Sequence, residues 1–188
     1  QPQAVSNDAI VFTHVRVKAT EGGHPGAGVA LESSRNSGKL TMPKAITALL
    51  VEDNPAHAKM VAIALKDSKY PTRLHHVTDG DKALDFVYGL GQFNDRLGMP
   101  QIDVIFLDLR LGRVDGLEVL CALKADPSTR SIPVVVLTTS DRQEDINRAY
   151  SCGANAFVTK PLEFNEFTRK VRGLAEFWAA TAEIPACA

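Results

Sequence analysis

Residues that would mark several function classes are scarce in this chain. It has 188 residues but only three cysteines, Cys121, Cys152 and Cys187, and none sits in a CxxC pair. That spacing supports neither a zinc site nor a disulfide framework, so the cysteines read as reduced thiols of a cytoplasmic protein. No apolar run approaches the length of a membrane span, and no stretch reads as a signal peptide, so no membrane partner is expected. There is no excess of one charge either. The formal net charge is −1, without a long run of Lys or Arg. A basic stripe for nucleic acid is therefore not expected.

What is present is a core's worth of apolar residues, 45% of the chain, beside 23% charged. That is the composition of an ordinary globular domain with a hydrophobic interior. The first segment differs. GGHPGAG (22–28) and ESSRNSGK (32–39) are rich in Gly and Ser and poor in large apolar residues. Residues 1–44 read as a flexible leader or linker. Within it VFTHVRVK (11–18) has the pattern of a short edge strand, and Met42 opens a natural start. Residues 45–182 form the expected domain, and 183–188 a tail.

From Ala45 a regular alternation begins. ITALLV (46–51), TRLHHV (72–77), VIFLD (104–108), PVVVLT (133–138) and NAFVTKP (155–161) have the length and composition of strands. Between them apolar residues recur at helical spacing, as in Met60, Val61, Ala64 and Leu65 behind Pro55. GLGQFNDRLGMP (89–100) reads as a loop. Phe164, Phe167, Val171, Leu174 and Phe177 read as the apolar face of a last helix. Strands apolar on both faces and separated by helices imply an α/β fold. The expected form is a flavodoxin-like, doubly wound, five-stranded parallel sheet in the order 2-1-3-4-5 with helices on both faces.

The polar residues that end these strands carry the chemistry. The first run ends at Glu52-Asp53, the third at Asp108, the fourth at Thr138-Thr139 and the fifth at Thr159-Lys160-Pro161. In an open α/β sheet ligands bind at the carboxyl ends of the strands, where the winding order reverses. That rule brings Glu52, Asp53 and Asp108 together, with Thr138 and Lys160 on the next strands. Three mutually repelling carboxylates call for a cation, and oxygen-only ligands favour Mg²⁺. A carboxylate beside Mg²⁺ and a lysine is a nucleophile suited to phosphorus, which would make Asp108 a phosphoacceptor. Thr138 offers a hydroxyl to a phosphoryl oxygen. The blander alternative makes Glu52-Asp53 a helix-start acid pair and Asp108 a turn residue. His57, His75 and His76 lack metal spacing and read as surface or packing residues.

VEDN (51–54), LDLRLGRVDG (107–116), VVVLTTS (134–140) and FVTKP (157–161) stand in the order found in the receiver domain of two-component response regulators. The chain resembles that family over about residues 45–180. The resemblance implies that Asp108 is phosphorylated by a sensor histidine kinase. It implies that Glu52 and Asp53 hold Mg²⁺ together with Asp108 and the backbone carbonyl of Arg110. It also makes Thr138 and Phe157 the switch residues, Lys160 the phosphate-binding lysine, and the Lys160-Pro161 bond cis. More narrowly, the loop at 89–100, LKADPSTRSIPVVVLTTS (123–140) and AEFWA (175–179) are similar to the single-domain regulators of bacterial phytochrome kinases. Such a protein is a switch rather than an enzyme, acting through a partner or through a second copy in a homodimer.

Gly112 replaces a usual proline, and the switch aromatic is Phe rather than Tyr. Two rivals share some of these residues: a haloacid-dehalogenase-like phosphatase and a phosphorylation-independent binding module. The phosphatase needs an acid two residues after its nucleophile, and that position is Arg110.

Overall fold

The computed structural model describes residues 45–98 and 101–182. The segment 11–18 and the tail 183–188 lie outside the described residues. Five strands alternate with helices: β1 (Ile46–Val51), α1 (Pro55–Lys66), β2 (Thr72–Val77), α2 (Gly80–Tyr88), β3 (Val104–Leu107), α3 (Gly116–Ala125), β4 (Val134–Thr138), α4 (Gln143–Ser151), β5 (Ala156–Thr159) and α5 (Phe164–Ala180). The strands pair in parallel in the order β2-β1-β3-β4-β5. The expected topology is therefore observed. The stretch expected to be a loop instead contains a 3₁₀ helix at Gly91–Gly98.

The continuous apolar runs are explained by two separate cores. Side chains alternate across a strand. Leu49, Val51, Ile105 and Leu107 pack on one face with residues of α2 and α3. Ile46, Ala48, Leu50, Val104 and Phe106 pack on the other with α1 and α5. A strand between two helical layers has no solvent face, so an alternating polar residue would be buried on either side.

Local signals start the helices where the site needs them. Asn54 caps α1: its Oδ1 accepts from the backbone N–H groups of Ala56 at 2.9 Å and His57 at 3.3 Å, and Pro55 follows at the first helical position. Asp115 caps α3 by accepting from the Leu117 N–H at 3.0 Å. The buried stripe of α5 is Phe167, Val171 and Ala175, four residues apart. Phe164 and Phe177 are exposed, contrary to the expected face. Phe164 is the first residue of α5, and Phe177 is turned about 120° from the centre of the stripe.

The cysteine expectation is also corrected. Cys121 on α3 and Cys152 at the end of α4 form a disulfide with Cα atoms 5.0 Å apart. No local motif joins them, because they are 31 residues apart and meet only when α3 and α4 pack side by side. Among the described residues, no helix is long and apolar enough to cross a membrane.

Candidate functional site

The site is built at the carboxyl edge of the sheet, and the ladder itself places its residues. The Glu52 N–H bonds the Val77 carbonyl at 3.0 Å, and the Asp108 N–H bonds the Val51 carbonyl at 3.0 Å. The Lys160 N–H bonds the Thr138 carbonyl at 2.7 Å. Each polar residue is thus one step beyond its strand while still held by the neighbouring strand. Glu52, Asp108, Thr138 and Lys160 are all buried. Of the three carboxylates expected to meet, Glu52 and Asp108 do so, with Lys160 between them, and Asp53 is not among the group.

Lys160 is the centre of the cluster. Its Nζ donates to Asp108 Oδ2 at 2.5 Å and to Glu52 Oε2 at 2.6 Å. One ammonium thereby offsets two buried carboxylates, which would otherwise be costly. The second Asp108 oxygen, Oδ1, accepts from the Arg110 N–H at 3.1 Å. Burial pushes the Glu52 carboxyl above its ordinary value, against the lowering effect of Lys160, while the Asp108 charge adds to the rise. The Glu52 backbone carbonyl accepts from His76 Nε2 at 2.8 Å, which locks the end of β1 to β2.

Asp53 stands differently. It is exposed, and among the described residues the carboxylate and imidazole atoms that lie within 4.8 Å of one another belong to Glu52, His57 and Asp108. His57 was not expected in this group. Its Nδ1 lies 3.2 Å from Glu52 Oε1 and 3.3 Å from Lys160 Nζ. The available signal was the capped start of α1, which folds the first-turn side chain back over the end of β1. Glu52 and Asp108 against the single Lys160 leave one formal negative charge, so the buried cluster with His57 is an acidic candidate site for a divalent ion.

The Lys160-Pro161 bond, expected to be cis, is trans; there is no cis peptide among the described residues. Trans is the lower-energy isomer before proline by about 0.5–1 kcal/mol, and with it the Lys160 ammonium already reaches both carboxylates. Thr138 is fully buried and its Oγ1 accepts from the Ser140 N–H at 3.3 Å. Phe157 lies on β5, half-buried against the core layer that includes α3.

The side chain of Arg110 turns away to α4. Its guanidinium lies 3.1 Å from Asp145 Oδ2. That same oxygen accepts from the Ser140 hydroxyl at 2.5 Å. These two bonds were not anticipated, because Arg110 and Asp145 are 35 residues apart.

Comparison with known proteins gives the same picture. The response regulator receiver domain family matches residues 48–172. The response regulator Rcp1 of Synechocystis sp. is 37% identical over 144 residues, 77% of this chain and 95% of that protein. The Mn²⁺-bound form of Rcp1 superposes with a TM-score of 0.70 and 35% identity, covering 75% of this chain and 99% of that one. The phosphorylated cyanobacterial phytochrome response regulator RcpA superposes with a TM-score of 0.71 and 36% identity, covering 76% of this chain and all of that one. With its sheet order, its strand-end Asp108 and Lys160, and these relatives in agreement, the chain belongs to the response regulator receiver domain family.

Proposed function

We propose that Asp108 accepts a phosphoryl group from the phosphohistidine of a sensor histidine kinase. The observation that carries this reading is the buried Lys160 ammonium bridging Asp108 and Glu52. In the transfer an Asp108 carboxylate oxygen attacks phosphorus, an O–P bond forms, and the N–P bond to the donor imidazole breaks. Lys160 offsets charge on the phosphoryl oxygens while remaining close to Glu52. Thr138 supplies a hydroxyl to one of those oxygens, and Phe157 shifts with it as the switch aromatic. Glu52, Asp53, Asp108 and the Arg110 carbonyl would hold Mg²⁺, which supplies charge neutralisation at the phosphoryl group. The Mn²⁺-bound relative supports a divalent ion.

The protein acts as a switch, with at most slow self-dephosphorylation. Arg110 occupies the position where an aspartate-nucleophile phosphatase needs its acid, and its side chain is paired with Asp145. The similarity to RcpA and Rcp1 supports a bacteriophytochrome as the partner kinase, and with it a cytoplasmic location. A homodimer completes the proposal; Leu162, Phe164 and Phe177 are large apolar side chains left exposed on and before α5.

The test is labelling by a small phosphodonor with Mg²⁺ present, followed by intact mass. The wild-type chain gains one phosphoryl group and the Asp108→Asn variant gains none. Equal labelling of the variant removes Asp108 from the mechanism.

A further inference from the structure

Asp108 and Thr138 end adjacent strands, and a continuous line of polar contacts joins them through α4. The Arg110 N–H bonds Asp108 Oδ1 at 3.1 Å. The Arg110 guanidinium bonds Asp145 Oδ2 at 3.1 Å. The Ser140 hydroxyl bonds the same Asp145 oxygen at 2.5 Å, and the Ser140 N–H bonds Thr138 Oγ1 at 3.3 Å. The start of α4 is therefore tied to both residues that would sense the phosphoryl group.

The far end of α4 is tethered to α3 by the Cys121–Cys152 bond, whereas its start is held by polar contacts. Its N-cap residue, Arg142, makes no side-chain cap bond, and Ala149 is the fully buried residue of the helix. Arg142 is engaged instead with Glu144, at 3.0 Å. Asp145, in the first turn, is thus the side chain through which the helix start meets the site.

Arg110 sits where it can change partner. Its side chain is 58% exposed, so its long stem is not locked by packing. Its backbone is already bonded to the Asp108 carboxylate. A phosphoryl group on Asp108 carries more negative charge than a carboxylate and three acceptor oxygens, and the planar guanidinium fork matches that geometry. Thr138, drawn to the same group, moves the Ser140 N–H that is bonded to it.

We propose that Arg110 is a phosphoryl-sensing latch, which holds α4 through Asp145 in the resting state and exchanges Asp145 for the phosphoryl group on Asp108. The inference rests on the phosphoacceptor reading above. Its consequence is that α4 is released from the site by charge exchange at Arg110, in addition to any movement of Phe157. The group freed by this release for a partner is the Asp145 carboxylate in the first turn of α4, beside the exposed Arg142–Glu144 pair.

The test is amide hydrogen exchange across residues 140–151 of the full chain, with and without magnesium and beryllofluoride as a phosphoryl mimic. Binding of the mimic is followed separately by fluorine NMR. In the wild-type chain the mimic should speed exchange at the start of α4 roughly two- to fivefold, the factor expected for loss of one exposed ion pair. Arg110→Gln and Asp145→Asn should each show the faster exchange without the mimic and little further change with it. The double variant should match either single one, and Arg110→Lys should restore part of the response. A mimic-induced change in Arg110→Gln as large as in wild type overturns the latch. So does bound mimic with no change in wild-type α4. Failure of the mimic to bind wild type at all counts against the phosphoacceptor reading instead, and the fluorine signal separates the two failures.

Discussion

Gly116 lies directly against the backbone carbonyl of Asp108: a Cβ placed on Gly116 would overlap that oxygen and come within 2.7 Å of the Leu109 Cα. The Gly116 N–H also bonds the Leu109 carbonyl at 3.1 Å. The obstructing atoms are backbone, so they cannot rotate away. The start of α3 thereby sets the position of Asp108. Gly116→Ala should destabilise the fold by several kcal/mol, about 3 kcal/mol or more by the standard of overpacked backbone contacts, and should reduce labelling of Asp108 in whatever fraction folds. Chemical denaturation and labelling together check this. Gly112 is the contrast. Nothing lies within 4 Å of its ideal Cβ, and its φ is outside the left-handed region. Gly112→Ala should stabilise by about 0.4–1 kcal/mol through the unfolded chain.

Lys160 is buried between two carboxylates. Lys160→Met leaves Glu52 and Asp108 facing each other without their cation. Urea denaturation in a chelator should show a loss of about 3 kcal/mol. Adding Asp108→Asn removes one of the two repelling charges and should recover part of that loss. A Lys160→Met variant as stable as wild type would show that the ammonium is not what balances the cluster.

The Cys121–Cys152 disulfide closes a loop of 31 residues. Reduction, or Cys121→Ser, should lower stability by roughly 3–4 kcal/mol on the chain-entropy estimate. Counting reactive thiols in denaturant should give one before reduction and three after it, since the chain has three cysteines. A reducing compartment keeps such thiols reduced, whereas an oxidising one lets the bond persist. The count should therefore be made on protein prepared both with and without reductant.

Asp126 ends α3 and accepts at Oδ1 from the Ser128 hydroxyl at 2.7 Å and the Ser128 N–H at 2.8 Å. These bonds, led by the Ser128 hydroxyl and helped by Tyr88, hold its carboxyl below the ordinary 3.8. The folded value is below the unfolded one. The stabilisation is therefore complete above pH 3.8 and is lost as pH falls through the lower folded value. Unfolding measured at successive pH values below about 4 should fall less steeply for Asp126→Asn than for wild type. Parallel curves would show that Asp126 titrates alike in both states.

Much of this molecule was legible in its residues. Strand ends at Glu52, Asp108, Thr138 and Lys160 could be read because a parallel strand between two helical layers is apolar until it leaves the sheet. Pro55 marked the start of α1 because its ring suits the first helical turn. The sequence pattern makes His57 a surface or packing residue, whereas in the folded chain its ring approaches Glu52 and Lys160. The apolar pattern of the last helix includes Phe164 and Phe177, yet both remain exposed at its ends.

The order of elements, the parallel sheet and the acidic ends of β1 and β3 were determined by the sequence alone, because they follow from periodicity and polarity within a dozen neighbouring residues. The Cys121–Cys152 bond, the trans Lys160-Pro161 peptide, the place of His57 and the Arg110–Asp145 pair were decided only by the tertiary structure. Which side chains become partners across 30 or more residues depends on how helices seat against the sheet, and no local pattern encodes that distance.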